Sequence, residues 1–463
     1  MKKNLIRLLA LSLALLMLAP CLFACGKKGD GEETGSEGLD DMAVSTSADS
    51  DSEQNKYLPA SQDFQQYTYR FAVRGDQSSS HQYMTYVEGD TLKSDAVNIA
   101  FYNRYKFLEN YYNIKYEVVT INHTNGMVGK LEQAAMSGED FADVIFDIAG
   151  AIMKSAITNG YLMDINKLEG FNLDASYWDQ RIQQEYRIEG KLFTLEGDYT
   201  IYDEMRTHAV AVNKDMYDDL GYNDTYGSPY AMVEAGKWTF ETMLEMSKNT
   251  SDFNGNASDM TVDSRWAIVS EGAFPFCVYL GTGNKIIEVE NGSLNVSLAD
   301  DTKYQNTLNI IEYCVDNIHE NDEVILADRL TGDIWGQTTS IFTGGRALFR
   351  TSTLTSFMNY RNMTDVFGIL PIPKYDEEQP YYYSWCSGQA HMPLMIPVTA
   401  LDHIDTTVAI TEGMAYFSKY MAGGRQSVLD AFYENMTYAK LCRAPEDYKM
   451  LELVFSQKTF DID

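Results

Sequence analysis

The chain has 463 residues, 45% of them hydrophobic, with 67 acidic against 36 basic side chains and a formal net charge of −31. It is long for one globular domain and apolar enough for real cores, so two lobes or domains are expected. An acidic surface of this size repels a phosphate backbone, which excludes a nucleic-acid-binding role.

Lys2, Lys3 and Arg7 precede an apolar run over residues 8–18, a signal-peptide h-region too short to span a bilayer. Leu22-Phe23-Ala24-Cys25-Gly26 follows and resembles a bacterial lipobox, with Phe23 bulkier than usual at its position. The reading is a signal peptide over 1–24 and a lipidated Cys25; the alternative is an ordinary signal peptide with an incidental cysteine. Two or more acyl chains on Cys25 would anchor it stably, since each buried methylene contributes about 0.8 kcal/mol. Residues 29–55 hold nine acidic side chains, no basic ones and much Ser, Gly and Thr. Such a stretch cannot bury enough apolar surface to order itself, so 25–63 is expected to be an acidic tether.

The body opens on an alternating strand at 68–73. A helix over 96–112 follows, with Val97, Phe101, Tyr105, Leu108 and Tyr112 on one face, and then a strand at 115–121. A helix at 127–137 ends at Gly138, a buried strand runs through 142–148 (ADVIFDI), and a short helix occupies 152–158. Residues 199–221 (YTIYDEMRTHAVAVNKDMYDDLG) hold the expected hinge, with a buried strand at 207–213 turning into a helix that Gly221 stops. Thr239 is the expected N-cap of a helix reaching Lys248. Further helices are expected at 304–317, 404–421 and 445–456.

Asn213-Lys214-Asp215 after a buried strand resembles the "YNKDLF…G" signature of the family-1 extracellular solute-binding proteins, the sugar receptors of ABC importers. Other stretches are similar to that family's motifs in the family's order: 137–146 before and through ADVIF, 160–165 (GYLMDI), 237–241 (KWTFE), 338–350 (TTSIFTGGRALFR) and 366–374 (VFGILPIPK). The resemblance implies an α/β type-2 periplasmic-binding-protein fold, two lobes joined by crossing hinge segments. Lobe one would hold about 64–200 and 386–430, lobe two about 205–380 and 431–463. It also implies a chain continuing past Phe460, because family members run on for further helices.

The implied function is a membrane-anchored, extracellular, monomeric receptor that binds a carbohydrate, most naturally an oligosaccharide, between its lobes and delivers it to an ABC permease without catalysis. The alternatives are a secreted carbohydrate-active enzyme and a sensor or adhesion lipoprotein on the same fold.

A sugar receptor needs aromatic faces for the pyranose ring and charged or amide groups for its hydroxyls. Asp147 ends the ADVIFD strand, either as a ligand group or as a helix N-cap. Glu204 and Arg206 occupy the first crossing, where the family has a cleft-lining glutamate; a hinge salt bridge is the other reading. Phe274 matches an aromatic cleft position or packs in the core. Arg350 and Thr351 end a strand where the family places a cleft residue. Tyr381, Tyr383 and Trp385 alternate along the densest aromatic run, as a stacking platform or as packing between lobes.

Asp252, Asn254, Asn256 and Asp263, with Asp259 between, have the oxygen-ligand offsets of a calcium loop, although Ala257 stands where the turn glycine belongs. Either the loop binds calcium or it is a metal-free polar turn. No other cofactor is expected. Cys277, Cys314, Cys386 and Cys442 form no metal-type spacing and allow three pairings; free buried thiols are the simplest reading.

Overall fold

The first sheet begins with β1 (Tyr67–Arg74), which buries Tyr69 and Phe71 on one face and Ala72 on the other. Helix α1 (Ala96–Tyr111) crosses over to β2 (Ile114–Ile121), which lies parallel to β1 with Phe71 opposite Val118. Val97, Ala100, Phe101, Tyr105 and Leu108 form the buried stripe of α1 at helical spacing. Helix α2 (Thr124–Ser137) leads to the short strand β3 (Val144–Phe146), parallel to β1 on its other side, and α3 (Ala149–Thr158) packs on α2.

The structure is a computed structural model, and it describes residues 49–75, 96–121, 124–248, 250–252, 260–290, 292–387 and 392–460. Both sheets belong to the compact unit Ser52–Asp463. Residues 25–48 of the expected tether, Cys25 among them, lie outside the described residues; the rest is not the disordered stretch expected, since Asp49–Tyr57 is a helix and Glu53 accepts from the Ser176 amide at 2.6 Å. No helix among the described residues is long and apolar enough to cross a membrane.

The second sheet is mixed. Strand β4 (His208–Asn213) is buried along its whole length. The Asn213 side chain accepts from the Met216 amide at 3.0 Å and so starts α4 (Lys214–Asp219), while Gly221 takes φ 72° beyond its end. Helix α5 (Phe240–Ser247) is capped by the Thr239 hydroxyl, which accepts from the Thr242 amide at 3.2 Å. Strand β5 (Trp266–Ser270), helix α6 (Phe274–Gly281) and the hairpin of β6 (Ile287–Glu290) and β7 (Ser293–Val296) come next. After these come β8 (Val324–Leu326), α7 (Ile334–Thr343), β9 (Ala347–Thr353) and β10 (Phe367–Leu370). The sheet order is β10-β4-β9-β5-β8, with β9 parallel to β5 and antiparallel to β4.

The chain returns through β11 (Ser384–Trp385) and β12 (Leu394–Met395), which joins the first sheet antiparallel to β3. Helix α8 (Ile404–Lys419) packs on α1 in lobe one, α9 (Pro445–Ser456) packs on β10 in lobe two, and β13 (Lys458–Thr459) ends the described chain. The four cysteines of the body are free thiols, Cys277, Cys314 and Cys386 among them buried.

Three segments lie side by side at the hinge. Thr207 bridges to Cys386, β11 pairs in parallel with β13, and the Cys386 amide donates to the Thr459 carbonyl at 2.9 Å. Lys458 is buried there among carboxylates, bonded to Asp203, 3.2 Å from Glu204 and 3.4 Å from Asp179. Burial disfavours each isolated charge, and mutual attraction with hydrogen bonding offsets that cost. The last strand is also tied to lobe one, since the Phe460 amide donates to Glu185 at 3.0 Å.

Candidate functional site

The parallel strands β5 and β9 finish at one edge of the second sheet, the carboxyl edge at which open α/β sheets present ligand groups. Glu271 follows β5 directly and Thr353 closes β9. Both face a cleft of about 830 Å³ bounded by the two hinge crossings and by the start of α7. That volume is within the range of specific small-molecule sites.

Arg350 reaches the cleft from inside β9 and is 1% exposed. Its Cζ lies 5.3 Å from the Tyr360 ring centroid, and Nη2 donates to the Thr338 hydroxyl at 3.4 Å. Arg206, half-buried at the first crossing, sits over Tyr202 at 5.4 Å. Glu271 accepts a long 3.5 Å contact from the Ser356 hydroxyl. Burial pushes the Glu271 carboxyl up, and the positive charges of Arg350 and Arg206 pull it back in part.

The aromatic part of the site is built around Trp385. Its ring lies 4.7 Å from His208 at an interplanar angle of 8°, and 5.9 Å from Phe276 at 28°. His208 Nδ1 is 3.2 Å from the Trp385 carbonyl, and burial lowers its pKa to about 4, so the ring is neutral at physiological pH. Trp385 is thus nearly covered, whereas Trp335 on α7 lines the same cleft with 55% of its surface open. An exposed tryptophan of this kind is a natural stacking face for a sugar ring. Hydroxyls and an amide from Thr339, Ser340, Thr355 and Asn359 complete the wall.

The residues singled out from the sequence fall in several places. Arg206, Arg350 and Trp385 come together in the cleft. Glu204 belongs to the Lys458 cluster beneath the hinge, where burial and then the neighbouring Asp203 charge push its carboxyl well up. Phe274 is buried against Phe240 with centroids 6.3 Å apart. Thr351 is hydrogen-bonded to Ser270 inside the sheet. Tyr381 is exposed and Tyr383 half-buried, in edge contact at 6.0 Å away from the cleft wall, because only Ser384 and Trp385 are in a strand and the alternation does not extend back to them. Asp147 is fully buried in lobe one and accepts from the Ile148 amide at 2.7 Å, while α3 has Ile148 at its start and no side-chain cap.

Of the calcium-type loop, Asn254, Asn256 and Asp259 lie outside the described residues. Asp252 accepts from the Arg265 amide at 3.1 Å and stands 3.6 Å from its guanidinium, and the Asp263 amide donates to Thr261.

Sequence reasoning did not single out Trp335, Glu271, His208 or Phe276. Trp335 had one local signal, a large aromatic beside the Asp333 cap of a short helix, where the first turn faces outward.

No family model and no curated protein sequence matches the chain. Solved structures do match. A cyclo/maltodextrin-binding protein complexed with maltotetraose aligns at TM-score 0.53 and 12% identity, over 85% of this chain and 86% of that one. An ABC substrate-binding protein from Listeria monocytogenes in complex with cycloalternan gives 0.51 and 13%, over 86% and 88%. Maltose-bound MalE3 of T. maritima gives 0.50 and 13%, over 85% and 89%. The chain therefore has the α/β, two-lobed type-2 periplasmic-binding fold of these proteins.

Proposed function

We propose that this chain is the solute-binding component of an ABC importer, held at the outer face of the cell membrane by lipid on Cys25, and that it takes up an oligosaccharide between its lobes. The observation that carries this reading is the cleft at the hinge, where the open face of Trp335 stands beside an array of hydroxyl, amide and guanidinium groups. Stacking on indole contributes apolar contact, and the polar groups fix the hydroxyls of a sugar. Ligand held there shifts an equilibrium between open and closed lobes, and the permease reads the closed form. The protein acts as a monomer and leaves its ligand chemically unchanged. Hydrolysis of a glycoside needs two carboxylates across the scissile bond, and Glu271 is the one carboxylate among the described residues lining the cleft.

Thermal unfolding across a panel of neutral and acidic saccharides, with amino acids and peptides as controls, tests the reading. A ligand at a hundred times its dissociation constant stabilises the native state by about 2.7 kcal/mol. The expected outcome is a raised midpoint with saccharides alone, diminished in Trp335→Ala. A rise with peptides or amino acids, and none with any saccharide, overturns it.

A further inference from the structure

The two arginines of the cleft lack ion-pair partners among the described residues; each guanidinium rests on an aromatic ring. Arg350 is almost wholly buried, yet its Nε and Nη1 have no acceptor and are sealed from solvent, and its one hydrogen bond is the long one to Thr338. Arg206 Nε is sealed without an acceptor too. Glu271 feels the charge of both, but its side-chain hydrogen bond comes from Ser356 rather than from either arginine. With His208 neutral, the described ionisable groups lining the cleft carry two positive charges against at most one negative, in a chain whose overall charge is −31.

A buried guanidinium with open donors is costly unless something completes it. Its planar fork matches a carboxylate, sulfate or phosphate and donates to such a group through two parallel hydrogen bonds. A neutral sugar hydroxyl satisfies one donor and leaves the charge uncompensated. Resting on the receptor reading, we infer that the ligand is a saccharide bearing an anionic group, which docks on Arg350 and Arg206 while a ring of the same molecule stacks on Trp335. Uronates, sulfated sugars and phosphorylated sugars share that chemistry.

The test is calorimetric titration of the full-length protein with matched pairs: trigalacturonate against its methyl ester, and maltotriose against its sulfated and its phosphorylated forms. At least one anionic member is expected to bind on the order of 30-fold or more tighter than its neutral partner, the scale of losing one member of a buried charge pair. The three pairs tell the sources of the charge apart. Arg350→Gln is expected to abolish that preference while retaining a cooperative unfolding transition. Should Arg350→Gln fail to fold, the half-buried Arg206→Gln carries the comparison, with a smaller loss of the same sign. Neutral members binding as tightly as their anionic partners overturns the inference and leaves the receptor reading standing. Absence of binding by every saccharide, from protein that unfolds cooperatively, overturns both.

Discussion

Asp198 shows how the hinge couples to pH. It follows Gly197, which bridges to Trp178, and its Oδ2 is sealed from solvent without a hydrogen-bond partner. Burial pushes its carboxyl up to about 7, with Asp203 and Asp179 adding to the rise and Lys419 and Lys458 opposing it. A carboxyl raised in the folded state holds a proton that the unfolded chain has released. Stability from this group is therefore greatest below about pH 4 and is lost as pH rises towards 7. Asn in its place does not titrate. The stability of Asp198→Asn relative to wild type is expected to rise between about pH 4 and about pH 8 by at least about 1 kcal/mol, read from urea midpoints at each pH. A constant difference across that range contradicts the assignment. At this scale the sequence was legible where a motif or a dense cluster marked a residue. Arg350 was picked out by the resemblance of residues 338–350 to a family motif that a cleft residue follows, and Trp385 ends the densest aromatic cluster. Phe274 and Phe276 are two apart in one short segment, and nothing local told which would be buried and which exposed.

Among the elements, α9 depends on one carboxylate. Asp447 Oδ1 accepts from the Tyr230 hydroxyl at 2.7 Å and the Ile369 amide at 2.8 Å, and Oδ2 from the Arg443 and Ala444 amides at 2.7 and 2.9 Å. It thereby caps its own helix and fastens it to β10. Asp447→Ala leaves the Ile369 amide buried without an acceptor, and unsatisfied groups of this kind cost about 1–3 kcal/mol each. A loss of about 3 kcal/mol is expected in urea unfolding, and a loss below about 1 kcal/mol would show that water or a neighbour takes over. The helix itself was readable from residues 445–456, with Pro445 at its first turn and apolar residues at helical spacing. Residues 338–350 were harder, because one motif-like stretch spans the end of α7, a Gly344-Gly345 turn with Gly345 at φ 69°, and the start of β9. The aromatic run 381–385 misled for a related reason, since alternation fixes faces only while the backbone stays extended.

For the whole molecule, two lobes and a crossing near Thr207 followed from length and from the order of strands and helices. The third hinge segment did not. Lys458 and Thr459 make a two-residue strand that pairs in parallel with residues far away in sequence, a contact with no local periodicity to announce it. It matters because it brings the buried Lys458 to Asp203 and Glu204 at the first crossing and ties the end of the described chain to Glu185 in lobe one. The wall of the cleft comes from lobe two and the crossings, so the proposed function requires lobe one to swing over a ligand seated on Trp335 and Arg350. Small-angle X-ray scattering of the protein alone and saturated with the tightest-binding saccharide measures that motion. A smaller radius of gyration is expected with ligand, and a smaller or absent change at the same sugar concentration in Trp335→Ala. An unchanged radius in wild-type protein shown to be saturated would contradict closure of the lobes on a ligand in this cleft.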